Sequence, residues 1–344
     1  MRVTAGDSTL AVSGELPLEA SGTPGTVSVD AQLDLWSLPA YMPGTAELST
    51  YGRATLSGDI SGTLRAMDPD LTLTVENGMV QTWSMTAAVH DITLMSRVAD
   101  GIAVIDSLRA TFGDIGVMTA TARVPLDVVP APVALPHPGG PISAELHASD
   151  INPAMIPGAP AALHGSLAVD ASLAADEPSL GALSGTVEMP TVDVAVGDLA
   201  FAAAQPVRLA IANGLARIEQ FSLSGSVGHL DVSGSTGLTG DGLNVDVDSQ
   251  MNLAVFSAFA PTIRSAGELV AIFAARGSAR APNLQGTVSI ADAVIAIDEP
   301  QIAAEHLAVK LSLDGPRATL TQLSGQLNGG DLSGAGTIVL GGDL

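Results

Sequence analysis

An alternation of apolar and polar residues decides the fold, and it is clearest at Leu243-Asn244-Val245-Asp246-Val247-Asp248. In a β-strand, successive side chains point to opposite faces, so this segment has one aliphatic and one polar face. The same alternation recurs at residues 71–76, 192–196 and 309–313. Such strands are typical of an antiparallel sheet that is wet on one side.

Three dipeptides between alternating segments predict how the strands connect: Asp100-Gly101, Asn213-Gly214 and Asp314-Gly315. Asp-Gly and Asn-Gly supply the two positive φ angles of a type I′ turn, the usual two-residue connection of a β-hairpin. The sequence therefore predicts hairpins at these positions, and hairpins join antiparallel neighbours.

These turns also indicate an internal repeat. They recur at intervals of roughly a hundred residues, and Pro69, Pro178 and Pro282 keep a similar spacing upstream of them. We therefore predict the tail of a preceding repeat unit at residues 1–31. Three further units are predicted at residues 32–147, 148–249 and 250–344.

The alternation breaks near the predicted unit boundaries, at residues 35–42, 152–156 and 253–260, each followed by proline or glycine. We interpret these breaks as one or two helical turns. Filling gaps or capping the sheet edge is the favoured role, and contact with a membrane or a partner is the alternative.

Composition excludes several classes of function. Hydrophobic residues make up 47% of the chain but aromatic residues only 3%, so the apolar surface is aliphatic. The net charge is −23, with Lys310 as the one lysine, which argues against nucleic acid as a partner. The absence of cysteine excludes disulfides, thiolate metal sites and a cysteine nucleophile.

No catalytic constellation is recognisable. The sequence contains no P-loop, no G-x-S-x-G motif and no histidines at metal-ligand spacing. The best acidic cluster is Asp241, Asp246 and Asp248, which fits the solvated face of one strand better than a calcium site. We therefore expect a protein that is not an enzyme and that has no cofactor and no metal site.

The repeat unit resembles that of the TamB/AsmA-like family of bacterial envelope proteins. The resemblance is clearest in the last unit, which reads Arg280-Ala281-Pro282-Asn283-Leu284-Gln285-Gly286-Thr287-Val288-Ser289-Ile290 and closes with Leu323-Ser324-Gly325-Gln326-Leu327-Asn328-Gly329-Gly330. The middle unit matches at Glu177-Pro178-Ser179-Leu180. The resemblance rests on degenerate spacing and spans nearly the whole chain.

The resemblance implies an all-β fold, an elongated, curved and mostly antiparallel sheet that forms a taco-like trough with an aliphatic interior. It implies a conduit for phospholipid acyl chains across the periplasm, a role in outer-membrane protein assembly and an outer-membrane β-barrel partner. It also implies a periplasmic or envelope location, with an inner-membrane anchor in segments absent from this chain. No apolar run here reaches the length of a membrane-spanning helix.

The alternation pattern by itself indicates a function compatible with this resemblance. A sheet with one aliphatic face must cover that face, and lipid tails can do so. The predicted lipid-facing residues all lie on aliphatic faces of alternating segments. They are Leu71, Leu73, Val75, Val192, Val194, Val196, Leu243, Val245, Val247, Val288, Ile290, Ile295, Ile297, Val309, Leu311 and Leu313.

Three alternatives stay open at the level of sequence. A β-solenoid adhesin would have parallel coils of about 20 residues. A structural spacer of the cell envelope would fill its interior with its own side chains. A carbohydrate-active enzyme on a β-helix would need convergent carboxylates and aromatic platforms, which the aromatic content of 3% disfavours.

Overall fold

The structure, a computed structural model, describes residues 1–18, 23–36, 48–82, 85, 87–126, 135–136, 139–156, 159, 162–177, 179–258, 260, 262–297 and 301–339. The fold is all-β and antiparallel, which confirms the predicted fold class. The chain divides into two compact units. Unit 1 contains Met1–Gly158 and Ala168–Gly185, and unit 2 contains Ala159–Leu167 and Thr186–Leu344.

Unit 1 is a meander in which each strand from β1 to β9 pairs antiparallel with the next. The strands are β1 (Arg2–Ala5), β2 (Ser8–Glu15), β3 (Gly25–Asp34), β4 (Leu48–Thr63), β5 (Ala66–Thr82), β6 (Val89–Ala99), β7 (Ile102–Phe112), β8 (Gly116–Pro125) and β9 (Ile142–Ile151). A short 3-10 helix, η1 (Pro153–Met155), follows β9.

The next two strands, β10 (Leu163–Ala175) and β11 (Ser184–Val196), contribute residues to both units. Unit 2 continues with short strands that pair out of sequential order, for example β12 with β15 and β14 with β16. These strands are β12 (Leu199–Ala203), β13 (Val207–Ala212), β14 (Leu215–Gln220) and β15 (Ser222–Gly225).

The rest of unit 2 is a second antiparallel meander. Its strands are β16 (Gly228–Gly237), β17 (Asp241–Asn252), β18 (Ile263–Ser278), β19 (Ala281–Ile297), β20 (Ile302–Gly315), β21 (Arg317–Leu327) and β22 (Gly330–Val339). A six-residue 3-10 helix, η2 (Leu253–Ala258), connects β17 to β18.

Both described helices fall on predicted breaks in the alternation. They are 3-10 helices of three and six residues. The first predicted break lies mostly outside the described residues, which include only Leu35 and Trp36 of it.

Two of the three predicted hairpin turns are confirmed. Asp100-Gly101 has φ angles of 52° and 72°, and Asn213-Gly214 has 52° and 73°, as a type I′ turn requires. The third prediction is wrong by one residue, because Asp314 pairs with Arg317 and the turn residues are Gly315-Pro316. Proline fixes a negative φ at the second position, so Gly315 at φ 62° gives the type II′ pattern.

The meander from β4 to β8 recurs as β18 to β22. Each register shift in the first meander has a counterpart in the second at one constant offset along the chain, for example Val75/Gly78 and Ile290/Ala293. This offset nearly equals the separation of Asp100 from Asp314 in the sequence. The predicted boundaries of the smaller units stay a prediction.

The buried interior consists mainly of small side chains. Alanine predominates among the buried hydrophobic residues described, and the largest side chains that are fully buried are Val207, Pro125, Pro153 and Ser249. Most Leu, Ile and Val side chains of the alternating strands are half-buried. Over most of the described strands, the aliphatic face therefore keeps part of its side-chain surface exposed, unlike a densely packed core.

Candidate apolar binding face

The strand register of unit 2 aligns aliphatic residues into four rows that cross neighbouring strands. Residues directly opposite each other on paired strands share a face. Row 1 contains Val245, Ala275, Leu284 and Gly315; row 2 contains Val247, Phe273, Gly286, Leu313 and Ala318; row 3 contains Ser249, Ala271, Val288, Leu311 and Leu320; row 4 contains Met251, Leu269, Ile290, Val309 and Leu323. We call these four rows the apolar face of unit 2.

Unit 1 carries equivalent rows across seven strands, β3 to β9. Leu73 lies between Leu56 and Ser96, Val75 lies between Ala54 and Leu94, and Leu71 lies opposite Gly58 and Val98. The row through Val75 continues outward to both sides. It contains Leu33, Ala54, Val75, Leu94, Leu108, Ala120 and Leu146.

All sixteen sequence-predicted residues are half-buried, neither sealed from solvent nor on the open surface. The rows bring together seven of those in unit 2, namely Val245, Val247, Val288, Ile290, Val309, Leu311 and Leu313. Leu243 and Ile295 continue β17 and β19 on the same face. An aliphatic side chain that keeps part of its surface exposed can still gain apolar contact from a ligand.

The other four predicted residues of unit 2 lie outside these rows. Val194 pairs with Phe201 and Val196 with Leu199 in the β11–β12 hairpin, where Val192 also lies on β11. Ile297 stands opposite Ile263 and Ile302 at the end of β19.

The opposite face of the same strands is polar and ion-paired. Nη2 of Arg276 lies 2.7 Å from Oδ1 of Asp246, and Nε2 of His229 lies 3.5 Å from Oδ1 of Asp248. Both aspartates are exposed, as the alternation predicts. Asp241 also lies on β17, and among the described residues no group of His, Cys, Asp and Glu could hold a metal ion.

One end of the apolar face of unit 2 is sealed by the chain itself. Leu253, the first residue of η2, forms a buried cluster with Ala293 and Leu307, which are 6%, 0% and 8% exposed. We call these three residues the sealed cluster. Partly buried residues from β18 to β22 pack around it: Leu269, Ile290, Ile295, Val309, Leu323 and Leu332.

Backbone bulges bring the sealed cluster together. Asp292 and His306 adopt positive φ angles of 46° and 48° at register shifts in β19 and β20. Each bulge adds a residue to one strand and changes which later side chains reach the apolar face. As a result Ala293 stands opposite Leu307.

The sealed cluster is not evident from the sequence, because alternation alone does not reveal a bulge. A weak signal was present, because Asn and Asp tolerate positive φ, and Asn77, Asp91 and Asp292 stand where the alternation of their strands calls for an apolar residue. Asn77 is the counterpart of Asp292 in the repeated meander, and Asp91 is the counterpart of His306. This correspondence could have indicated equivalent bulges in the two units.

The bulge of unit 1 at Asp91 lies beside His90, a histidine whose pKa is shifted. Nε2 of His90 is 2.7 Å from the carbonyl oxygen of Gly113, and Nδ1 is 2.9 Å from Oδ2 of Asp91. The Gly113 contact, followed by the Asp91 contact, raises the pKa of His90 above its usual value. Because both partners are acceptors, the doubly protonated ring satisfies both contacts.

In the part of the chain that the structure describes, no helix is long and apolar enough to cross a membrane. Comparison with protein-family models, with curated proteins and with solved structures gives no match to this chain. Its functional assignment therefore depends on the geometry of the apolar face and on the sequence resemblance described above.

Proposed function

We propose that this chain is a non-enzymatic lipid-binding segment that holds phospholipid acyl chains against its aliphatic rows. The observation that carries the proposal is the half-burial of all sixteen predicted residues, with a polar face on the other side of the same strands. Such a face can gain contacts from a hydrocarbon chain without unfolding.

The free energy of hydrocarbon transfer favours hydrocarbon as the ligand. Transfer of an acyl chain of about sixteen carbons into water costs on the order of 12 kcal/mol, at about 0.8 kcal/mol per methylene. Rows of Val, Leu, Ile and Ala offer apolar contact with few polar groups that could fix one position. Weak positional preference is what a conduit requires, because a tightly fixed chain would not move.

The resemblance extends the proposal to the cell envelope. By that resemblance the chain works in the periplasm as part of a longer, inner-membrane-anchored protein that carries phospholipid or supports outer-membrane protein assembly. An outer-membrane β-barrel protein is the partner this role implies.

The antiparallel strand register disfavours the β-solenoid alternative. A β-solenoid adhesin requires parallel coils, whereas the described pairs are antiparallel. A structural spacer stays the second candidate, favoured by the sealed cluster, in which the chain covers its own apolar face.

Lipid retention tests the proposal. The chain is purified from a bacterial host, extracted with organic solvent, and the extract is analysed by mass spectrometry. We expect co-purified phospholipid in the wild type and its loss in the double variant Val288→Asn with Leu311→Asn, two directly opposed residues of row 3.

The matched control alters the neighbouring pair on the polar face, Thr287→Asn with Ser312→Asn, which are also directly opposed. This control should retain lipid. Circular dichroism verifies that both variants fold. Absence of lipid from the folded wild type, or equal retention by the two double variants, would contradict the proposal and favour the spacer.

A further inference from the structure

The apolar face of unit 2 does not continue freely to the end of its strands. Along β19 it runs from Leu284 through Val288 to Ile290, all half-buried. It then reaches Ala293, which has no exposed surface. This loss of exposure occurs where Leu253, the first residue of η2, packs onto the face.

Leu253 lies against the last of the four rows. Leu269, Ile290 and Val309 of row 4 pack against the sealed cluster that Leu253 forms with Ala293 and Leu307. A hydrocarbon chain that lies along the strands on rows 1 to 4 would therefore meet the Leu253 side chain at this end.

Hydrogen bonds fix the position of Leu253. Oδ1 of Asn252 accepts from the backbone N–H of Ala254 at 2.9 Å, which caps the helix. The hydroxyl of Ser265 on β18 donates to the carbonyl oxygen of Leu253 at 2.7 Å. These contacts join η2 to the sheet at the residue that covers it.

Each of the other two breaks repeats one of these two hydrogen bonds. The hydroxyl of Thr50, the counterpart of Ser265 in the first meander, donates to the carbonyl oxygen of Leu35. In η1, Oδ1 of Asn152 accepts from the N–H of Ala154 at 3.0 Å, and the adjacent Met155 is buried. The asparagine cap is shared by the two described helices, which indicates a built feature of the chain.

We propose that Leu253 is a stop that ends the apolar site of unit 2 and limits the length of hydrocarbon chain it takes. This inference rests on the proposed function and adds a specificity-determining residue to it. Beyond the length at which the chain end reaches Leu253, additional carbons stay in water and contribute no affinity.

The test measures dissociation constants of the full chain for saturated fatty acids of increasing length. In the wild type, affinity should rise by about fourfold per added carbon up to a limiting length and then stay constant, as expected from about 0.8 kcal/mol per methylene. An affinity that rises without a limit would overturn the inference.

Three substitutions move or preserve the stop. Leu253→Ala removes three side-chain carbons and should extend the limiting length by about three carbons, whereas Leu253→Val should extend it by about one. Leu253→Met conserves volume and should leave the limit in place. The milder Leu253→Val keeps the test valid if Leu253→Ala does not fold.

The matched control is Phe256→Ala, because Phe256 lies on the same helix but is 43% exposed. Its limiting length should equal that of the wild type. If the wild type binds fatty acid and the limit is the same in Leu253→Val, Leu253→Ala and the wild type, the stop is refuted and the proposed function stands. If the folded wild type binds no fatty acid at any length, both fail.

Discussion

Leu307 and Leu311 are the same residue type on the same face of β20, yet their environments differ. Leu307 is buried in the sealed cluster, whereas Leu311 in row 3 is half-buried. Their exposure differs because η2 places Leu253 over Leu307. A six-residue segment therefore decides whether an aliphatic position belongs to a core or to a binding surface.

The largest expected effect compares these two leucines directly. Leu307→Ala should lower the free energy of unfolding by about 2–5 kcal/mol, because it removes a buried side chain and leaves a cavity. Leu311→Ala should lower it by roughly half as much, since part of that side chain already contacts solvent. Denaturant titration of both variants measures the difference.

Equal losses in the two variants would break the comparison, because they would mean that row 3 is packed as densely as the sealed cluster. The slope of the titration should be unchanged in both, which would verify that the substitutions alter stability and not the surface exposed on unfolding.

A second prediction compares alanine substitutions at two glycines of β18. Gly267 has φ 121°, and a Cβ there would lie 2.6 Å from Cα of Ala293, whereas Gly277 has φ 97° and open space around that position. Both alanine substitutions strain the backbone, but Gly267→Ala also forces the sealed cluster apart. We expect it to cost about 1–3 kcal/mol more than Gly277→Ala in the same titration.

If Gly277→Ala lowers the free energy of unfolding as much as Gly267→Ala does, the close approach of β18 to Ala293 contributes nothing to stability. The sealed cluster would then be less tightly packed than its exposure indicates.

The smallest expected effect on stability concerns unit 1. There, His90 lies beside the bulge that is equivalent to the bulge at His306. Its pKa is raised, so its contribution to stability is complete below the usual histidine pKa and is lost as pH rises through the raised value. The stability difference between wild type and His90→Gln should therefore be greatest in mild acid and shrink toward alkaline pH.

Denaturation across a pH series measures this difference, and NMR titration of the His90 ring locates its pKa. A difference that grows as pH rises would contradict the contacts of His90 with Gly113 and Asp91.

The sequence predicts the strands and their faces well, because period-two alternation is a local property. Leu243, Val245 and Val247 lie on one side of β17, and Asp246 and Asp248 on the other. The hairpins at Asp100 and Asn213 follow equally from local φ preferences. At Asp314 the turn lies one residue later than predicted, because Pro316 can occupy only the second turn position of the type II′ turn.

The sealed cluster could not be predicted in the same way, because it depends on contacts between residues distant in sequence. Leu253, Ala293 and Leu307 meet only because bulges at Asp292 and His306 set the register of β19 and β20. An aspartate or histidine within a strand is compatible with a bulge or with an exposed position, and composition does not separate the two.

Photo-crosslinking tests the accessibility of the half-buried valines and leucines of the rows most directly. The purified chain is loaded with a fatty acid that carries a diazirine near the middle of its hydrocarbon chain, irradiated and digested, and the adducts are mapped by mass spectrometry. We predict adducts on row residues such as Val288, Leu311 and Leu313, and none on Leu307. Adducts confined to polar-face residues such as Thr287 and Ser312, or no adducts on the folded chain, would contradict the account.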